Sequence, residues 1–285
     1  MNYCFEEIAD KTAEALVQAS TTFRPDQIKA YQAAIAKEDN AHAKWVMETI
    51  LENAQIAAEK KLPLCDDTGI PHVLLEIGSE AVVPPGFFSA VEEGIVRGLR
   101  MLPGRPMAVK GSDIERITQS AGLSGRSEDL ALAPVQIRNI SGAQIRLTVL
   151  MLGGGPEIRG KTQRVFHKHS LEVVLDEIVS WAREGADKLG CLPCTLLLGI
   201  GRTNVEAASL ALEAGAHGNF QVQSELERRI TDAVNDSGIG ALNLGGKTTA
   251  LATFLKVGPQ RASGVRVVSL RLGCCFDPRR ATISF

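Results

Sequence analysis

The residues best suited to chemistry are six cysteines, five of which stand in segments rich in glycine, proline or charge. Cys65 opens Cys65-Asp66-Asp67-Thr68-Gly69. Cys191 and Cys194 form a C-x-x-C ahead of Thr195–Gly201. Cys274 and Cys275 lie in Gly273-Cys274-Cys275-Phe276-Asp277-Pro278-Arg279-Arg280, and Cys4 stands apart. Alone, the C-x-x-C fits a redox dithiol, half a zinc site or coincidence. A thioredoxin-like motif opens a helix, whereas Thr195-Leu196-Leu197-Leu198 reads as strand. Zinc held by Cys191, Cys194, Cys274 and Cys275 meets the difficulty that neighbouring side chains on a strand point to opposite faces. One thiolate from each of three distant segments is instead a donor pattern suited to an iron–sulfur cluster. A four-iron cluster with three cysteine ligands leaves one iron open to bind a substrate hydroxyl and carboxylate as a Lewis acid. Asp67, two residues after Cys65, would then stand near enough to move a proton. Glycines such as those of Gly153-Gly154-Gly155 let backbone N–H groups approach an anion.

Other candidates are weaker. Gly245-Gly246-Lys247-Thr248 resembles part of a phosphate loop, but Ala241 stands where the pattern needs its first glycine. Among the five histidines, His42 reads as solvated and His167 and His169 as an exposed pair flanking Lys168. None has zinc-finger spacing to a cysteine.

The rest of the chain must position these segments. It has 285 residues, 45% hydrophobic and 22% charged, with 31 Lys+Arg against 33 Asp+Glu and a net charge of −2. That is globular composition without the basic field of a nucleic-acid binder. No apolar run approaches the ~20 residues of a membrane span. The acidic start MNYCFEEIADK lacks a secretory pattern, so a cytoplasmic chain with reduced thiols is expected. Periodicity predicts helices over Glu6–Gln18, from Pro25, and over Ala41–Lys60, the last with Trp45, Val46, Ile50, Leu51 and Ala54 on a core-facing stripe. A strand over His72–Ile77, a helix over Phe87–Leu102 and a long loop with a little helix over Pro103–Asp129 follow. Val135–Ile137 and Gln144–Leu152 read as a hairpin around Ser141-Gly142. Helices over Ser170–Leu189, Val205–Ala214 and Gln221–Asn235, a buried strand over Thr195–Gly201 and a final strand over Val265–Leu272 complete the reading. The expected architecture is mixed α/β (α+β): one domain over 1–285, with a helical arm to about 62 and a body of mixed sheets packed with helices from about 63.

Taken together, these segments resemble class I, iron–sulfur fumarate hydratases and L(+)-tartrate dehydratases. Asn53-Ala54 followed by Cys65-Asp66-Asp67-Thr68-Gly69 is similar to the family's first cysteine motif. Cys191, eight residues before Gly199-Ile200-Gly201, is similar to the second. Gly245-Gly246-Lys247-Thr248-Thr249-Ala250-Leu251 matches a glycine–lysine–threonine segment, and Cys275, four residues before Arg279-Arg280-Ala281, is similar to the third cysteine. The resemblance implies that Cys65, Cys191 and Cys275 hold a 4Fe-4S cluster with one open iron. It implies roles near the substrate for Asp67 and Asp66, backbone approach at Gly154 and Gly155, and a carboxylate clamp for which Arg100 is the candidate. It implies reversible dehydration of a small 2-hydroxy dicarboxylate by an α subunit. A separate β subunit would complete the site, in a homodimer or α2β2 assembly. The chain ends soon after its last cysteine motif, as such α subunits do. Asp66 replaces the family's Gln, Pro156 departs from its glycine loop and Gln260 replaces a His. The alternative these departures define is a divergent non-catalytic or zinc-binding paralogue keeping the fold.

Overall fold

A computed structural model describes residues 3–285. The chain divides into two compact units, one comprising residues 1–22, 54–153 and 279–285, the other residues 23–53 and 154–278. The mixture of helices and mixed sheets matches the fold class expected from the sequence. The helical segment ahead of residue 62 is shared between the units, because the third helix runs across the boundary after Asn53.

The first unit contains α1 (Phe5–Thr21), the end of α3 (Ala41–Lys60), β1 (Ile70–Gly78), α4 (Phe87–Met101), a short α5 (Asp113–Thr118), β2 (Gln136–Ile140), β3 (Ile145–Leu152) and β8 (Arg279–Ser284). Its sheet runs in the order β2-β1-β3-β8. β1 and β3 pair antiparallel through Leu75↔Leu147, and their apolar face meets Ile8 and Leu16 of α1 and Ile95 and Leu99 of α4. Glycines on α4 let the helices close up: a Cβ at Gly94 would lie 2.5 Å from the Ala9 carbonyl. Cys4 has a structural place here, its N–H donating to Glu7 Oε2 at 2.9 Å at the start of α1.

The hairpin expected between β2 and β3 does not form. β2 lies parallel to β1 and β3 antiparallel to it, so β1 is inserted between the two. The turn bonds to the end of β1 instead, with Ser79 N–H on Ile140 O and Glu80 N–H on Gly142 O. Alternation and a turn signal predict two strands but not which third strand separates them.

The second unit contains α2 (Pro25–Lys37), the start of α3, α6 (Gly154–Arg159), β4 (Lys161–Phe166), α7 (Leu171–Leu189), β5 (Cys194–Gly201), α8 (Asn204–His217), α9 (Glu225–Asn235), β6 (Ala250–Val257) and β7 (Val265–Gly273). Sheet order is β4-β7-β5-β6. β5 is buried along its whole length, as an apolar run in mid-sheet should be. Ile178 and Trp181 of α7, Leu196 and Leu198 of β5 and Leu270 and Leu272 of β7 form the centre of the core. β5 and β6 are parallel, and the connection between them runs through α8 and α9.

Three further expectations change. Of the expected α3 stripe, Val46, Ile50 and Ala54 are buried, but Trp45 is 63% exposed and Leu51 only partly buried, with Ala43 and Met47 buried beside the others. His167 is buried, with Nε2 hydrogen-bonded at 2.7 Å to Ser263 O and Nδ1 accepting from His169 N–H at 2.9 Å. Val265–Gly273 is not the last strand, since β8 follows it. No helix among the described residues is long and apolar enough to cross a membrane.

Candidate functional site

Strand direction explains why distant motifs meet in the second unit. β7 ends beside the start of β5, with Thr195 opposite Gly273. The loop before β5 (Cys191-Leu192-Pro193) and the loop after β7 (Cys274 to Pro278) therefore share one end of the sheet. β6 starts at the same end, with Ala250 opposite Cys194, and so does β4, with Lys161 opposite Leu270. The glycine–lysine–threonine segment and Gly154-Gly155 are thus brought to the end that carries the cysteines.

Backbone hydrogen bonds knit these loops together. Cys275 N–H donates to Cys191 O at 2.9 Å, and Cys194 N–H donates to Thr249 O at 2.9 Å. Cys191 is exposed, whereas Cys194 and Cys274 are buried. Cys194 belongs to the apolar core, and burial pushes its thiol up to about 12. Cys275 is buried as well, at 5% exposure. The peptides Leu192-Pro193 and Asp277-Pro278, one in each cysteine loop, are cis.

The loop after β7 is unusually well held. Cys274 O accepts from Asp277 N–H (2.9 Å), Cys275 O from Tyr31 Oη (2.5 Å), Phe276 O from Gln27 Nε2 (3.2 Å), Asp277 O from Thr195 Oγ1 (3.2 Å) and Pro278 O from Arg24 Nη1 (3.0 Å). Burial holds the Tyr31 phenol well above its ordinary pKa, so the hydroxyl keeps its proton and donates. Burial also lowers the pKa of the Arg24 guanidinium, against which Asp26 acts with a two-pronged bond.

Gly245-Gly246-Lys247-Thr248 is not built as a phosphate loop, because a strand follows it where that motif requires a helix. Its Lys247 N–H donates at 2.9 Å to the buried carboxylate of Glu38. A Cβ at Gly246, where φ is +122°, would lie 2.8 Å from that carboxylate. Gly154 and Gly155 open α6, where Gly155 is exposed and a Cβ on it would meet nothing. Glu157 in that helix pairs with Arg271 of β7.

In the first unit, Cys65 precedes β1, whose start lies opposite the end of β3, and β8 starts beside it, with Met151 opposite Arg279. Arg279, buried at 3% exposure, donates from Nη1 to Asp67 O at 2.7 Å and Thr68 O at 3.3 Å. Asp67 Oδ1 accepts from Gly69 N–H at 3.0 Å, an Asx-type turn. Asp66 is exposed; its Oδ1 lies 3.5 Å from Cys65 Sγ and its Oδ2 3.2 Å from Arg105 Nη1. Arg105 thus pairs with the carboxylate next to Cys65. Arg100 stands on the exposed last turn of α4, with Nε 3.5 Å from Glu128. Sequence reasoning missed Arg105 and Arg279 as supports of this loop. Arg279 was visible only as part of the third cysteine motif.

Among the described residues, no three His, Cys, Asp or Glu side chains are gathered as a metal-holding group. The model of the Fumarate hydratase (Fumerase) family matches residues 9–284. A Methanocaldococcus jannaschii protein, whose assigned name of L(+)-tartrate dehydratase subunit alpha is itself provisional, is 26% identical over 280 residues, covering 95% of this chain and 94% of that protein. The L(+)-tartrate dehydratase subunit alpha of Escherichia coli (strain UTI89 / UPEC) is 24% identical over 291 residues, covering 99% and 91% respectively.

Proposed function

The chain belongs to the fumarate hydratase family and is a hydro-lyase; we propose that it is the α subunit of an iron–sulfur enzyme that reversibly dehydrates a small 2-hydroxy dicarboxylate of the malate or tartrate type. Cys65, Cys191 and Cys275 are the proposed ligands of a 4Fe-4S cluster, and a separate β subunit completes the site, as the naming of the relatives as alpha subunits suggests. Thiolate ligands need a reducing compartment, which agrees with a cytoplasmic location.

The observation that carries the reading is the bond from Cys275 N–H to Cys191 O, at a sheet end to which all four motif loops of the second unit converge. The donor set also fits the group: soft thiols with no histidine among them, while Cys194 is committed to the core. When bound, the cluster supplies a Lewis-acidic iron for the substrate hydroxyl and carboxylate. Asp67, tied at one oxygen to Gly69, is proposed to orient the substrate or move a proton, with Asp66 and Arg105 setting the charge beside Cys65. The backbone at Gly154 and the exposed Gly155 is proposed to approach the substrate. Arg100 remains the proposed carboxylate clamp.

The test is anaerobic purification with a β partner, followed by iron analysis and assay of water loss from malate, tartrate and related acids. A brown complex with about four irons per α chain and turnover of one of these acids is expected. A colourless, iron-free anaerobic complex without dehydratase activity overturns the reading.

A further inference from the structure

Helix α2 presents one face to the loop that carries Cys275. Arg24, Gln27 and Tyr31 are spaced at i, i+3 and i+7, so their side chains stack along a single stripe. They donate to Pro278, Phe276 and Cys275 respectively, all backbone carbonyls. Gln27 and Tyr31 are 1% and 0% exposed, so two polar side chains are buried at that loop. Buried polar groups must be hydrogen-bonded, and a carbonyl that loses its donor there has no water to replace it. Thr195 and Asp277 hold the loop at its other carbonyls. Phe23 stacks on Tyr31 at 5.7 Å, fixing the ring that carries the hydroxyl.

Two fully buried polar side chains of one helix are thus directed at adjacent carbonyls of the loop that carries Cys275. Resting on the reading of Cys275 as a cluster ligand, we propose that Tyr31, with Gln27 and Arg24, is a positioning residue for that ligand. The face of α2 fixes the backbone at Cys275, so the Cα–Cβ bond that carries the thiol has its direction set in the chain itself, before any metal would be bound. The three residues touch neither substrate nor cluster; they act through the loop.

Tyr31→Phe deletes the hydroxyl and keeps the stacked ring, and Gln27→Leu deletes the second donor at similar volume. Thr253→Val is the control: it removes a buried hydroxyl of the same unit, bonded to Thr231 at 2.9 Å, away from the loop. Two measurements are made on each. One is the alkylation rate of Cys275 in the metal-free full chain, mapped by mass spectrometry against Cys4. The other is the rate of iron transfer to a chelator from the reconstituted complex with its partner subunit. Tyr31→Phe and Gln27→Leu are expected to raise both rates about tenfold, the size of effect that loss of one buried hydrogen bond gives, with Thr253→Val near wild type. Rates no higher than those of Thr253→Val overturn the positioning role. Cys275→Ser separates the two claims. Full iron in that variant would sink Cys275 as a ligand, whereas the alkylation rates in metal-free chain test the cradle by themselves.

Discussion

The loops bearing Cys65 and Cys275 carry the same kind of side chain and are held in opposite ways. From Cys274 to Pro278 every carbonyl accepts a hydrogen bond, four of the five from side chains, and every residue but Phe276 is buried. The Cys65 loop is half open. One guanidinium, that of Arg279, grips two of its carbonyls, and its outer edge is an exposed ion pair between Asp66 and Arg105. A backbone cradle fixes geometry, whereas an exposed ion pair sets local charge and contributes little stability. The comparison teaches that the Cys275 loop is built to be rigid and the Cys65 loop to hold charge.

The largest expected effect tests whether both loops carry a ligand at all. Cys65→Ser, Cys191→Ser and Cys275→Ser should each lose nearly all cluster iron, while Cys4→Ser and Cys274→Ser keep it, measured as iron per chain and visible absorbance. Iron retained in Cys65→Ser would break the comparison, since the open loop would then hold no ligand. Next comes Arg279→Lys, which removes the Nη1 that donates to both Asp67 O and Thr68 O. It should cost about 2 kcal/mol in urea unfolding, as loss of charged hydrogen bonds at a buried site does. Amide exchange should quicken over residues 65–69 and not over 274–278. Equal quickening in both would show that the loops are not held separately.

A smaller effect concerns the cysteine that the rigid end withholds. The Cys194 thiol is raised in the folded chain from 9.0 to about 12, so the unfolded chain releases a proton that the folded chain keeps. Stability should therefore be intact below the ordinary cysteine range and fall as pH rises through it toward about 12. Cys194→Ala should flatten that slope in denaturant titrations, and Cys194 should resist alkylation at pH 9 in the folded protein. The smallest effect is expected from Asp66→Asn. Its ion pair is 82% and 53% exposed, so stability should change by less than about 1 kcal/mol. A shift in the salt dependence of Cys65 alkylation would show the charge role that the comparison assigns to it.

Much of the fold was legible in the sequence because its helices are long and periodic. α1 to α4 and α7 to α9 follow their apolar stripes, and β1, β3, β5 and β7 their buried runs. β4 escaped because only Val165 of its six residues is buried, which leaves no alternation to read. β8 was hidden inside a motif read for its cysteine and arginines. The cysteines stood out by residue type, and the resemblance to the family singled out Cys65, Cys191 and Cys275 as candidates. The cradle was not: Tyr31 and Cys275 are 244 residues apart, and nothing local distinguishes a tyrosine on an apolar stripe from one whose hydroxyl is aimed at a loop.

β8 gives the order of synthesis a consequence. The sheet of the first unit lacks its outer strand until residues 279–284 have been made, although α1 and β1 leave the ribosome early. Until then β3 carries an unpaired edge, which invites pairing with other chains. Cys275 emerges four residues before that strand. The segment that closes the sheet therefore arrives just after the last proposed ligand, so a nascent chain truncated before Cys275 lacks both.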